Sequence, residues 1–218
     1  MVREQFQFDL NSLQAKVLEL GELSQQALSV AMDGLYSKNV EVALKVIEGD
    51  QRMDDLEEEI NDFALMLITR QQPVAVDLRR VFVSIKIAAD LERISDHAVN
   101  IAKSTIRIGE KELSTSLRYI EEMYKLAIEM LSLAITAYNE EDLTIAKKIA
   151  EMDDEVDVLY GEAIKEYISY IPNKPEESSQ ITQLMFIVRY IERIADHVTN
   201  VAESVFYLVK GKHYLLNE

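Results

Sequence analysis

Apolar residues recur along this chain at alternating four- and three-residue steps, the spacing that keeps one face of an α-helix against a neighbour. Leu184, Ile187, Ile191, Ile194, Val198, Val201, Val205 and Leu208 form the cleanest such seam. Ile87, Leu91, Ile94, Ala98, Ile101 and Ile108 form another, with Thr105 as its polar interruption. Shorter seams run through Met53, Leu56, Ile60, Phe63 and Leu67, and through Ile149, Met152, Val156, Leu159 and Ala163. Two more precede these, at Leu13, Val17, Leu20, Ser24, Ala27 and Val30 and at Tyr119, Met123, Leu126, Met130, Leu133 and Ala137. No strand-like alternation competes, so the pattern predicts six long antiparallel helices, three in each half.

The halves restate each other. ERISDHAVNIAKS, from Glu92 to Ser104, returns as ERIADHVTNVAES, from Glu192 to Ser204, with eight of thirteen positions identical. Upstream, Asp50, Met53, Asp54, Leu56 and Glu59 match Asp153, Val156, Asp157, Leu159 and Glu162 at an offset of 103, so the intervening connection differs by three residues. A duplication of this kind predicts two copies of one supersecondary unit: an all-α protein of two tandem three-helix bundles, residues 1–110 and 111–218. Breaks are expected at Lys38 to Val40, Arg70 to Pro73, Gly109 to Ser114, Asn139 to Asp142, Ile171 to Pro175 and Gly211. All three prolines lie in the two corresponding connections, and Gly109 and Gly211 suit left-handed caps after the long third helix of each half.

Composition changes this picture in three ways. Without cysteine, neither disulfides nor thiolate metal sites are available. No apolar run approaches the ~20 residues of a spanning helix, and MVREQFQF lacks a signal-peptide pattern, so a soluble, cytoplasmic protein is expected. The net charge of −16 opposes binding to a phosphate backbone and turns attention to cations or basic partners.

The acids are also arranged. Residues four apart on a helix lie about 40° apart around the axis, so Glu92 with Asp96 and Glu192 with Asp196 each share a face. The same holds for Asp50 with Asp54 and Asp153 with Asp157. In a chain with 39 acids such pairs arise often by chance, as Asp54 with Glu58 and Glu162 with Glu166 illustrate. What distinguishes the four pairs is that they occupy matching places in the duplication. Like charges at this spacing repel by a few tenths of a kcal/mol unless something neutralises them. A hard cation held by oxygen ligands would do so: iron, zinc, manganese, magnesium or calcium rather than copper(I). A solvated acidic face is the other reading. Ala88, Ala89 and Ser95 leave room for close approach along this flank.

His97 and His197 stand off the carboxylate face and read as helix-interface residues, since the Glu-x-x-His step of di-iron bundles is absent. Asn100 and Asn200 lie near the stripe and could supply an oxygen ligand or bond across to another helix. Arg93 and Arg193 are expected to pair with acids on the adjoining helix. Arg79 and Arg80 have no counterpart in the second half, which suits either a partner contact or a salt bridge.

The stretch QQPVAVDLRRVFVSIKIAADLERISDHAVNIAKS from Gln71, with MDDEVDVLY from Met152 and YIERIADHVTNVAESVFYLVKG from Tyr190, resembles the PhoU family of phosphate-uptake regulators over nearly the whole chain. The resemblance implies two similar three-helix bundles, a homodimer and the bacterial cytoplasm. It also implies negative regulation of the phosphate-starvation response, exercised with the ATPase subunit of the high-affinity phosphate ABC transporter and the phosphate-sensing histidine kinase, with membrane contact only through those partners. Family members bind metal through Glu/Asp-x-x-x-Asp motifs, which fall here on Asp50 and Asp54, Glu92 and Asp96, Asp153 and Asp157, and Glu192 and Asp196. Asp replaces Glu in the copies at 50 and 153, and the shorter side chain bears on metal identity and nuclearity. The reading is of a metal-binding, non-enzymatic signalling adaptor; a carboxylate-bridged metalloenzyme and a passive helical scaffold are the alternatives.

Overall fold

The structure is a computed structural model that describes residues 2–113, 115–173 and 175–214. Seven α-helices follow one another: α1 (Val2–Ser37), α2 (Val40–Gly49), α3 (Gln51–Gln71), α4 (Val76–Ile108), α5 (Arg118–Glu140), α6 (Leu143–Tyr170) and α7 (Ser178–Lys210). Two 3-10 turns, Ile171–Asn173 and Pro175–Glu177, join α6 to α7. Helices α2 and α3 act as one bent rod, because Asp50 between them keeps helical dihedrals (φ −58°, ψ −43°). Gly49, a weak helix former, sits at the joint. The equivalent rod in the second half, α6, is continuous through Asp153. The six-helix expectation therefore holds, with one joint the periodicity did not reveal. Ser114, the far end of the break expected after Gly109, lies outside the described residues.

The duplication extends to the turns. Asn39 caps α2 by accepting from the backbone N–H groups of Glu41 and Val42, at 2.9 and 3.3 Å. Asp142, 103 residues later, caps α6 in the same way through Thr144 and Ile145, at 2.7 and 3.3 Å. Each cap follows a residue at positive φ, Lys38 and Glu141, both at 53°. Gly211 takes the expected left-handed cap and donates to Tyr207 O, whereas Gly109 combines φ 70° with ψ −162°, a region open essentially to glycine alone.

Helices α1–α4 form one bundle and α5–α7 the other, and the two third helices, α4 and α7, make the most extensive helix–helix contact in the molecule. One hydrophobic core consequently runs through both repeats. The α4 and α7 seams are buried as expected, Ile94 and Ile194 completely. In α5 the buried edge is shifted: Ala127, Leu131 and Ala134 face inward, while Leu126 and Leu133 are only partly covered. The cause is that α5 must meet α1 as well as α6 and α7, so a third partner pulls its buried stripe round. At the α1–α5 crossing, a Cβ on Gly21 would sit 2.9 Å from the Ile135 side chain, whose end would have to shift to admit it. Among the described residues no helix is long and apolar enough to cross a membrane.

Placing Asp at Ile94 or Ile194 should cost several kcal/mol, because each is a fully buried seam position with no partner for a charge. Thermal melting followed by circular dichroism should show a large fall for either variant, against little change for Ser132→Ala on the exposed side of α5.

Candidate functional site

The carboxylate pairs meet as helix partners. In the first repeat Asp50 and Asp54 face Glu92 and Asp96 across the α3–α4 contact. Burial raises the pKa of Asp50, and the charges of Asp54 and Asp96 add to the rise against Lys103. Glu92 is raised too, first by burial, then by Asp96, Asp54 and Glu57, with Arg93 opposing. In the second repeat burial and the charges of Asp196 and Asp154 raise Asp157. Burial, Asp196 and Asp157 raise Glu192, against Arg189 and Arg193. Each such shift means that these partly buried acids hold their negative charge at an energetic cost.

Two acids are more deeply placed than a flanking stripe requires: Asp153 is 4% exposed and Glu192 9%. Glu192 is carried on α7, which packs against both α5 and α6. Its Oε2 is buried without a hydrogen-bond partner. Carboxylate oxygens suit a hard cation in kind, but Arg193 Nε already stands 3.7 Å from this one. Among the described residues, however, no three acidic or imidazole groups stand together at metal-ligand spacing. Arginines stand among the acids instead. Arg93 lies 3.5 Å from Glu92 and 3.7 Å from Asp96, and Arg193 lies 3.7 Å from Glu192 and 3.0 Å from Asp196. This corrects the expectation that these arginines reach to the adjoining helix. The acids one position before and three positions after each arginine on its own helix are closer.

The histidines belong to the contact between repeats. His97 and His197 meet across α4 and α7 with ring centroids 5.6 Å apart, and His97 stacks on Tyr190 at 5.9 Å. His197 Nδ1 lies 3.0 Å from Asp90 Oδ1, which also accepts from Asn200 Nδ2 at 3.2 Å. Asn200 thus makes the cross-helix bond that was one of its two readings, and Asn100 is partly buried on α4. Burial, then the charges of His197, Arg193, Arg93 and Arg189, push His97 down to about 4. The unmatched Arg79 and Arg80 serve internal contacts. Arg80 donates from Nε and Nη2 to Glu141 Oε1 at 3.1 and 2.8 Å, tying α4 to the α5–α6 turn, and Arg79 covers the Gly211 cap.

Sequence reasoning missed Asp90, Tyr190, Arg189, Glu57 and Tyr160. It sought letters repeated between halves, and these positions differ: Asp90 corresponds to Tyr190, Ala89 to Arg189, and Glu57 to Tyr160. Aligning the halves for differences at stripe-flanking positions would have found them.

The fold and its polar surfaces define a class: a duplicated helical protein in which two carboxylate-lined helix pairs flank a histidine-bearing contact between repeats. The sequence model of the PhoU domain matches residues 17–105 and again residues 120–205. A Clostridium acetobutylicum protein named phosphate-specific transport system accessory protein PhoU homolog is 35% identical over 219 residues, covering all of both chains. An Aquifex aeolicus protein of the same name is 36% identical over 213 residues, 96% of each. The crystal structure of the phosphate transport system regulatory protein PhoU from Streptococcus pneumoniae superposes with a TM-score of 0.90 at 30% identity, over 96% of this chain and 99% of that one. PhoU from Pseudomonas aeruginosa superposes at 0.92 with 29% identity, over 95% and 100%. The chain belongs to the PhoU family.

Asp90→Ala should cost about 2 kcal/mol in urea unfolding, since it strips His197 and Asn200 of a shared acceptor, and Asn200→Ala should cost less. His97 gives a pH signature. The unfolded chain takes up a proton near pH 6.5 and the folded chain only near 4, so this residue lowers stability as pH falls through that interval. Acids with raised pKa act oppositely: they favour the fold as they protonate. His97→Phe should therefore keep more of its neutral-pH stability at pH 4.5 than the parent does, read as the difference between their unfolding midpoints.

Proposed function

We propose that this chain is a cytoplasmic, non-enzymatic regulator of phosphate uptake. In this reading it restrains the phosphate-starvation response as a metal-binding adaptor between the ATPase subunit of a phosphate ABC transporter and a phosphate-sensing histidine kinase, and it acts as a homodimer. The observation that carries the proposal is the end-to-end likeness to relatives named as accessory proteins of phosphate-specific transport. The duplicated carboxylate clusters support the metal component. Asp50, Asp54, Glu92 and Asp96 would hold one group of ions, and Asp153, Asp157, Glu192 and Asp196 the other. Iron, zinc, manganese and magnesium all suit such oxygen donors. A bound cation would neutralise the acids and fasten α3 to α4 and α6 to α7, which stiffens the face on which they lie. An acidic surface of net charge −16 suits basic patches on partners, through contacts that weaken with salt.

Deleting the gene should leave phosphate-starvation genes expressed in phosphate-rich medium, and the purified protein should retain the transporter ATPase or the kinase in a pull-down from phosphate-replete cells. Normal repression in the deletion strain would refute the regulatory reading. Replacing Glu92 and Asp96 together by Ala should remove metal from the first cluster without loss of helicity, measured by elemental analysis of tag-free protein. Full occupancy in that variant would place the ligands elsewhere.

A further inference from the structure

Cross-helix ion pairs tie the first two rods of each repeat together, but the second repeat lacks them along one stretch. In the first repeat Arg52 on α3 donates to Glu19 on α1 at 2.8 Å, and Lys16 on α1 donates to Glu59 on α3 at 2.7 Å. At an offset of 103 the acids recur as Glu122 and Glu162, whereas Lys16 becomes Tyr119 and Arg52 becomes Glu155. An attraction is thereby replaced by like charges, Glu122 on α5 and Glu155 on α6. The pairs that do join these helices stand to either side, Lys148 with Glu129 at 3.0 Å and Arg118 with Glu166 at 3.9 Å. Between them lies an open groove of about 640 Å³. Leu126, Val158 and Leu159 supply its apolar surface, and Glu122, Asp154 and Glu155 its negative charge, with Lys125 the cation among them. Val158 is 62% exposed, and its counterpart in the first repeat is the exposed Asp55. Leu56, next to Asp55, is fully buried, whereas Leu159 is only partly covered. The first repeat opens elsewhere, beside the Gly49 joint, where Lys45 and Arg52 line the space.

We propose that the α5–α6 groove docks a basic amphipathic helix of a partner protein, and, resting on the adaptor reading above, that it is a surface by which the adaptor holds that partner. The occupant's chemistry follows from complementarity. A segment that covers Leu126, Val158 and Leu159 must be apolar along one face, and beside Glu122, Asp154 and Glu155 it must be cationic along the edges of that face. A helix with lysine or arginine flanking an apolar stripe meets both requirements. Its cations would take the place that Arg52 fills in the first repeat, between an acid of one rod and the next. A second copy of this chain suits the groove poorly, because it brings a net charge of −16 to an acidic rim. The space at the Gly49 joint, lined by Lys45 and Arg52, repels the same helix, so one repeat carries the surface and the other does not.

The test is titration of the full-length protein into a labelled leucine–lysine peptide of about 18 residues, with leucine at i, i+3, i+4 and i+7, read by fluorescence anisotropy. Binding should saturate at one peptide per chain and weaken with salt, and a peptide with glutamate in place of lysine should not bind. Val158→Asp, which writes the first repeat's Asp55 into the groove, should weaken binding by about tenfold or more. Glu155→Arg, which supplies the cation that Arg52 supplies to Glu19, should do the same. Both positions are exposed, so each variant should melt as the parent does. Glu48→Arg makes the same change of charge on the exposed side of α2 and should leave the affinity within about twofold. Unaltered affinity in both groove variants, or equal binding of the glutamate peptide, would overturn the groove while leaving the adaptor reading intact. Loss of self-association in Val158→Asp, measured by sedimentation, would show that a second copy covers the groove and would overturn the proposed partner. Normal repression in the gene-deletion strain would refute the adaptor role of the groove, whatever the peptide does.

Discussion

Contact between α4 and α7 is the constraint on which the rest of the molecule depends. Each is the third helix of its repeat, and each packs against the helices of its own repeat and against the other. Laying the two antiparallel closes both seams at once and turns two small bundles, neither with much core of its own, into one body with a continuous interior. The polar groups within that contact are matched across it: Asp90 serves His197 and Asn200, while His97 stacks on Tyr190 and lies against His197. The duplicated motif thereby supplies both sides of the junction, a histidine from each copy, while residues that differ between copies complete it.

The same helices carry the acids on another flank. With α4 and α7 held together, Glu92 and Asp96 are presented to α3, and Glu192 and Asp196 to α6. The opposing pairs are near enough to raise one another's pKa. Arginines moderate this repulsion from within the same helices. The arrangement stores electrostatic cost that a ligand or partner can relieve.

Divergence between the repeats is as informative as their likeness. The capping turns at Asn39 and Asp142 are the same device, since both must reverse the chain between the first and second helices. The later connections differ: α3 ends on Gln72 at φ 45° and passes through Ala75 at φ 48°, whereas two 3-10 turns lead from α6 into α7. Counted between the matching acid motifs, the second connection is three residues shorter than the first, and the difference is taken up there. Likewise Gly49 allows a joint between α2 and α3 where α6 is continuous.

Periodicity and duplication by themselves determined the helical class, the three-helix repeat, the placement of the turns and the register that puts each acid pair on one face. All of these follow from local geometry, because a helix has a fixed angle per residue and a buried stripe must recur with it. Tertiary structure alone decided which faces meet. It turned the buried edge of α5 from Leu126 and Leu133 to Ala127 and Ala134, sank Asp153 and Glu192 below the surface, and drew Asn200 to Asp90. It also set Arg193 against acids of its own helix and Arg189 against Glu192. A side chain's partner depends on the distance and angle at which separate helices pack, quantities fixed by the summed fit of every seam and written in no local stretch of sequence.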